Sequence, residues 1–154
     1  MSDTKVVVER RIAASAERVW EALTDLDGMP SVLSGVDRVE VLTEGPFAVG
    51  TRWRETRRMF GKHATEEMHV TACEAPSRYV VEADSQGTHY ISEFTLSEGG
   101  KGATTVRMTF AATPPGGFTG LLAKLLGGLG AKAVAKVVAK DLREIAAAVE
   151  HSAL

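Results

Sequence analysis

The sequence has little that could cross-link the chain or hold a metal. It contains one cysteine, Cys73, in 154 residues, so no disulfide can form within the chain, and we expect a reducing, cytoplasmic location. Its four histidines are His63, His69, His89 and His151. None of their spacings is typical of a zinc site, so we expect no bound metal.

The sequence also lacks a charge excess and a long apolar run. The 18 basic and 20 acidic residues give a net charge of −2, which gives no general reason to bind nucleic acid. The most apolar stretch, residues 118–138, is interrupted by Lys124, Lys132 and Lys136, so we expect no integral membrane segment. The first twelve residues, MSDTKVVVERRI, lack the apolar core of a signal peptide.

Cofactor motifs are equally scarce. GLGAKA at 128–133 fits G-x-G-x-x-A, but the helical pattern LLAKLLG precedes it where a dinucleotide site needs a strand. There is no phosphate loop and no G-x-S-x-G. We therefore expect no cofactor, and we interpret residues 1–154 as a single domain that is either a monomer or a homodimer.

The pattern of the chain predicts an α+β fold. Ser15 is placed to cap a helix over 16–25, and a short helical turn follows near Met29. Alternating and β-branched residues, separated by Gly/Pro breaks, predict seven strands, at about 4–12, 36–44, 50–60, 63–74, 77–85, 88–97 and 103–112. Short connections make the sheet antiparallel. A long helix ends the chain, with a kink expected at 127–130, its main part starting near 131, and a lid at 118–126.

Residues 51–71 predict a hairpin that carries charge on its inner face. With the turn at Gly61-Lys62, Arg57 lies opposite Glu66 and Glu55 lies opposite Met68. Trp53 and Met68 share that face, which indicates a partly polar cavity. Glu55 and Glu66 could serve as an acid/base pair with Arg57 holding a ligand, or the three could form a simple cross-strand ion network.

A second predicted hairpin turns at Gln86-Gly87. It places Tyr79 on the same face as Tyr90 and Ser92, which would bring hydroxyls to an apolar wall, either as ligand contacts or as rim groups that meet water. On the last strand Val106, Met108 and Phe110 point to the same side. The strand parity places Cys73 on the outer face.

The last helix carries lysines at 132, 136 and 140, opposite its apolar face. They could form a surface that docks on a membrane or a partner protein, or they could simply be the solvated side of a packed helix.

Several of these segments resemble the polyketide cyclase/dehydrase and lipid-transport family of the START/Bet v 1-like (SRPBCC) superfamily. They are IAASAERVWEALTD (12–25), the turn at 30–33 with GVDRVEVL after it, VGTRWRET with FGK, the strand end at 94–96 and the C-terminal helix. The resemblance implies a helix-grip fold, in which the seven-stranded antiparallel sheet curves around the last helix with an apolar cavity between them. It also implies that cavity Arg and Tyr groups could position a polyketone chain, although the turn at 25–35 lacks an aromatic that many relatives carry.

Three hypotheses for function follow from these patterns. The first is binding of a hydrophobic or aromatic small molecule, lipid- or polyketide-like, with an acidic or keto group. The second is a cyclase or dehydratase in which Glu55, Glu66 and Tyr90 are the catalytic candidates. The third is docking through the basic helix. The predicted ligand-binding residues are Trp53, Glu55, Arg57, Glu66, Met68, Tyr79, Tyr90, Ser92, Val106, Met108, Phe110 and Leu122.

Overall fold

The seven predicted strands are present, and they form a single antiparallel sheet. The structure, a computed structural model, describes residues 4–59, 61–85, 87–113 and 128–151. The strands run β1 (Thr4–Ile12), β2 (Val36–Val41), β3 (Arg52–Met59), β4 (Lys62–Glu74), β5 (Arg78–Ser85), β6 (Thr88–Glu98) and β7 (Thr104–Thr113). Their order in the sheet is β1-β7-β6-β5-β4-β3-β2, which is the antiparallel helix-grip arrangement that the sequence predicts.

Three helices lie within the described residues. They are α1 (Ala16–Thr24), α2 (Met29–Val32) and α3 (Gly128–His151). Ser15 caps α1 as predicted, since its side chain accepts a hydrogen bond from the backbone N–H of Arg18 at 3.3 Å. None of the described helices is long and apolar enough to cross a membrane.

The C-terminal helix α3 begins at Gly128, three residues before the predicted start of its main part near residue 131. The predicted lid at 118–126, with Leu122, and Gly127 of the predicted kink lie outside the described residues. The apolar side of α3 faces the protein, where Val138, Leu142, Ile145, Ala146 and Val149 are buried in the main core. Lys132, Lys136 and Lys140 are exposed on the other side. Its packing is mainly against β1 and α1.

Polar contacts fix the position of α3 along its length. The Ser34 hydroxyl donates to Glu144 at 2.7 Å, and the backbone N–H of Ala13 donates to Glu150 at 2.9 Å. Together with the contact of Asp141 described below, these turn the acidic residues of α3 toward the body of the protein. The helix is therefore amphipathic in charge as well as in hydropathy, with its basic residues on the free side.

Two β-bulges interrupt the alternation of the strands, at Val36/Arg38 and at Val70/Ala72. The second one reverses the parity of the end of β4, because an extra residue turns every later side chain to the other face. Cys73 therefore pairs with Tyr79 and packs against the core. The predicted outer position of Cys73 is wrong for this reason.

The register of the β3–β4 hairpin also differs from the prediction. Met59 pairs with Lys62, so Gly61, with φ of +78°, is the second residue of the connection instead of the first. Arg57 consequently lies opposite Ala64, and Glu55 lies directly opposite Glu66. Each residue of β3 therefore pairs with a residue two positions earlier in β4 than predicted. Because side chains alternate between the two faces, a shift of two positions leaves the same residues on the inner face. The β5–β6 register is as predicted, with Ala83 opposite Tyr90 and Val81 opposite Ser92.

Candidate functional site

A buried polar network lies on the inner face of the sheet, where β3 meets α3. The Nε of Arg57 donates to Oε2 of Glu55 at 3.1 Å, and its Nη1 donates to Oδ2 of Asp141 at 2.9 Å. The indole N–H of Trp53 donates to the other carboxylate oxygen of Glu55 at 3.3 Å. Glu55 is only 7% exposed, and a carboxylate so far from water is tolerated because both of its oxygens are hydrogen-bonded.

Burial and pairing compete in this network. Burial alone would lower the pKa of Arg57, but the Asp141 and Glu55 carboxylates outweigh it, so the pKa lies above its ordinary value and the guanidinium stays charged. Burial raises the pKa of Asp141 even though Arg57 opposes the rise. The network is therefore held together by one cation that only partly offsets the cost of burying its two carboxylates.

An aromatic cluster adjoins the network, and Tyr79 lies at its centre. The Tyr79 ring stacks on Phe94 with centroids 4.6 Å apart, and meets Phe47 and Trp20 edge-on at 5.1 and 5.3 Å. Phe47 also contacts the Trp53 ring at 6.3 Å. These rings come from α1, the 42–51 connection and three strands, so the cluster joins parts of the chain that are distant in sequence.

The Tyr79 hydroxyl is a polar group within this apolar cluster. The residue is 3% exposed. Burial, and after it the nearby Glu55 carboxylate, raise the pKa of Tyr79 well above the ordinary value. The phenol is therefore a neutral hydrogen-bond donor at physiological pH.

The other end of the inner face is more open. Tyr90 stacks on Phe110 with centroids 5.7 Å apart, and these two side chains, with Met68, Ser92 and Glu66, are half-buried. Burial, and after it the Glu66 carboxylate, raise the pKa of Tyr90. Glu66 forms no ion pair with another described residue, so its carboxylate is available to a molecule on this face.

Across residues 3–150 the chain matches the family model described as polyketide cyclase/dehydrase and lipid transport. The chain belongs to this family. No curated protein matches it in sequence.

Solved structures show the same fold at low sequence identity. TTHA0849 from Thermus thermophilus is 23% identical, with a TM-score of 0.76 over 97% of this chain and 99% of that one. The ZhuI aromatase/cyclase from Streptomyces sp. R1128 is 19% identical, with a TM-score of 0.79 over 99% and 97%. A norcoclaurine synthase point mutant from Thalictrum flavum, in complex with a transition-state analogue, is 17% identical, with a TM-score of 0.74 over 100% and 99%.

Eleven of the twelve residues that the sequence predicts for the site are among the described residues, and they fall into three groups. Trp53, Glu55, Arg57 and Tyr79 lie in or beside the buried network, and Glu66, Met68, Tyr90, Ser92 and Phe110 lie on the more open part of the inner face. Val106 and Met108 are buried in the core, so their side chains are not exposed on the inner face. Leu122 lies outside the described residues.

Sequence reasoning missed three contributors to the site. Asp141 binds Arg57, although its spacing from Val138 and Ile145 already placed it on the apolar stripe of α3 and could have signalled a buried partner. Phe47 lies in a connection between strands, where no periodic pattern marks it. Trp20 lies on α1 and reaches Tyr79 from outside the strands, so no strand pattern marks it. Among the described residues no group of three or more His, Cys, Asp or Glu is arranged to hold a metal.

Proposed function

We propose that the inner face of the sheet binds an apolar, aromatic small molecule that carries a hydrogen-bonding group. The observation that carries this proposal is that Met68, Tyr90, Ser92 and Phe110 are only half-buried on the inner face, whereas the neighbouring inward residues Val70, Val81 and Val106 are buried in the core. A largely apolar surface with a few polar groups is the usual composition of a small-molecule site.

The polar groups lie where such a molecule would need them. Tyr90 and Ser92 have hydroxyls on the open part of the face, and the Tyr79 hydroxyl lies near the Glu55 carboxylate. Arg57 has one nitrogen, Nη2, without a hydrogen bond to a described residue. A ligand carbonyl that accepts from one of these donors would be fixed in orientation while its rings lie on Phe110 and Tyr90.

A fluorescence titration tests this proposal. The probe is 2-acetonaphthone, a neutral aromatic ketone, and the signal is the tryptophan fluorescence of Trp20 and Trp53, which adjoin the proposed site. For the native protein we expect quenching that saturates as the probe is added. In Tyr90→Ala we expect the affinity for the probe to fall at least about tenfold, since a half-buried ring contributes on the order of 1.5 kcal/mol to binding. Ile91→Ala, the next residue on β6 and on the outer face, is the matched control. Quenching that never saturates, or equal effects of both variants, would contradict the proposal.

A second candidate function, cyclase or dehydratase chemistry, is favoured by the proximity of Glu66 and Tyr90. Glu66 could accept the proton from the carbon next to a ketone, and the protonated Tyr90 could donate a hydrogen bond to the enolate oxygen that forms. Carboxylates and phenols in these roles account for α-proton removal without a cofactor.

Hydrogen–deuterium exchange distinguishes catalysis from binding alone. In D₂O, a base at this position would accelerate exchange at the methyl group of 2-acetonaphthone, which NMR follows directly. We expect Glu66→Gln to lose about 10²-fold or more of the acceleration while it still binds the ketone. If the native protein binds the ketone saturably but does not accelerate the exchange, the binding function would stand and the enzymatic function would be contradicted.

A further inference from the structure

The inner face carries an excess of negative charge. Of the charged side chains that meet at the inner face away from the strand ends, Glu55, Glu66 and Asp141 of α3 are acidic and Arg57 is basic, which makes the formal charge of this group −2. Glu144 and Glu150 of α3 instead bind Ser34 and Ala13. Three further charged residues, Arg10, Lys62 and Glu98, are at inward register positions, but all three are exposed near the ends of their strands. A protein of net charge −2 thus places a comparable charge on this one face.

Arg57 does not offset this charge for an incoming ligand. Its Nε and Nη1 already donate to Glu55 and Asp141 at 3.1 and 2.9 Å. An anion on the ligand would have to compete with two carboxylates that the fold already holds in contact, and it would approach Glu66, which has no ion pair with a described residue. Like charges that are brought together in a partly desolvated site repel each other strongly.

We propose that this site selects its ligand by charge, and that it accepts neutral carbonyl compounds and cationic aromatic amines while it rejects carboxylates. This inference rests on the proposed function. The protonated hydroxyls of Tyr79 and Tyr90 donate to a neutral carbonyl. An ammonium group is accommodated by the Glu66 carboxylate and by the faces of the Tyr90 and Phe110 rings. Of the two groups that the sequence suggested, acidic or keto, the charges favour the keto group.

A matched series of three probes tests the selection. 2-Acetonaphthone, 2-naphthylmethylammonium and 2-naphthoate share one ring system and differ in the charge of the substituent, and isothermal titration calorimetry at pH 7 gives their affinities. We expect the ketone and the ammonium to bind at least about tenfold more tightly than the carboxylate. Carboxylate binding that equals or exceeds that of the ketone would overturn the charge selection and leave the binding function intact. If none of the three probes binds, the proposed function itself fails.

Two neighbouring variants identify the source of the selection. Glu66→Gln removes one inward charge without leaving a described cation unpaired, and we expect it to narrow the ketone-to-carboxylate ratio by about three- to tenfold, mainly by improving carboxylate binding. Glu67→Gln removes the same charge from the next residue of β4, which is exposed on the outer face beside Arg52, and we expect the ratio to stay unchanged. Equal effects of the two variants would mean that overall charge, and not the inner face, sets the preference.

Discussion

Each face of the sheet holds a basic side chain between two carboxylates, Arg57 on the inner face and His89 on the outer face, and the two clusters differ in burial and in the parts of the chain that they join. On the inner face Arg57 lies between Glu55 and Asp141 at 3.1 and 2.9 Å. On the outer face His89 lies between Glu82 and Asp84, with 2.7 Å to each carboxylate. In both clusters strand alternation supplies a side chain two residues from another on the same face, Glu55 with Arg57 and Glu82 with Asp84.

The two clusters differ in how deeply they are buried and in which parts of the chain they connect. The inner cluster joins β3 to α3 across the core, with Arg57 and Asp141 only 18% and 22% exposed. The outer cluster stays within the β5–β6 hairpin, and His89 is 36% exposed. Buried ion networks become costly when one member is removed, whereas exposed pairs contribute little. The same local chemistry is therefore expected to hold the helix on the sheet in one place and to be nearly dispensable in the other.

Removal of the cation from each cluster should show the largest contrast. Arg57→Ala leaves Glu55 and Asp141 buried without a counter-ion, and we expect the free energy of unfolding to fall by about 3 kcal/mol. His89→Ala should lower it by less than about 1 kcal/mol. Urea denaturation at pH 7 measures both changes.

A combined variant separates lost charge from lost packing. Glu55→Gln, Arg57→Met and Asp141→Asn together remove every charge of the inner network while they keep similar volumes. We expect this triple variant to recover much of the stability that Arg57→Ala loses, because no charge remains unpaired. A triple variant as unstable as Arg57→Ala would show that the side-chain stem of Arg57, and not its charge, stabilises the fold.

Asp141→Asn should change the pH dependence of the free energy of unfolding more than it changes the size of that free energy. Burial raises the pKa of Asp141 in the folded protein, so the stability that this group contributes is fully present below its unfolded pKa of about 3.9 and is lost as the pH rises through the raised folded value. Asp141→Asn has no carboxyl group at this position, so its stability does not show this loss. Urea titrations from pH 3.5 to 7 should therefore show the variant gaining stability relative to the native protein as the pH rises. A constant difference across this range would contradict the raised pKa.

How far the sequence predicts these two clusters depends on how local each one is. The outer cluster is short-range, and His89 opposite Asp84 follows from placing a turn at Gln86-Gly87. The inner pair Glu55 and Arg57 follows from strand alternation alone. The contact between Arg57 and Asp141 spans the core, and only its final packing decides which residue of α3 meets β3. Alternation also fails at a bulge, which is why Cys73 is on the inner face.

The hairpin register illustrates a different limit. Two-residue hairpin connections accept Gly at the second position in a type I′ turn and at the first position in a type II′ turn, so turn chemistry allows both registers. Gly61 has the second position, with φ of +78°, and the sequence alone does not decide between the two. The aromatic cluster is not predictable from strand patterns either, since Phe47 and Trp20 reach Tyr79 from outside any strand.

Tyr79→Phe tests whether the Tyr79 hydroxyl contributes to binding. The substitution removes only the hydroxyl and keeps the ring that stacks on Phe94, so we expect the free energy of unfolding to change by less than about 1 kcal/mol, while the affinity for 2-acetonaphthone falls. Urea denaturation and the fluorescence titration measure the two changes. An unchanged affinity would contradict a role of this hydroxyl in binding.

The smallest effect is expected from the pH response of His89. The carboxylates of Asp84 and Glu82 raise its pKa above the ordinary value, so its stabilisation is fully present below the unfolded pKa of about 6.5 and is lost as the pH rises through the raised folded value. In His89→Gln this pH-dependent part is absent, so the stability deficit of the variant should shrink from pH 6 to pH 8.5. Since the imidazole is partly exposed, the change should be a fraction of a kcal/mol and should weaken in high salt. NMR titration of the imidazole gives the folded pKa directly, and a value at or below 6.5 would show that the two carboxylates do not stabilise the charged ring. The outer cluster would then be a set of hydrogen bonds to a neutral histidine. It would resemble the inner network in geometry but not in charge.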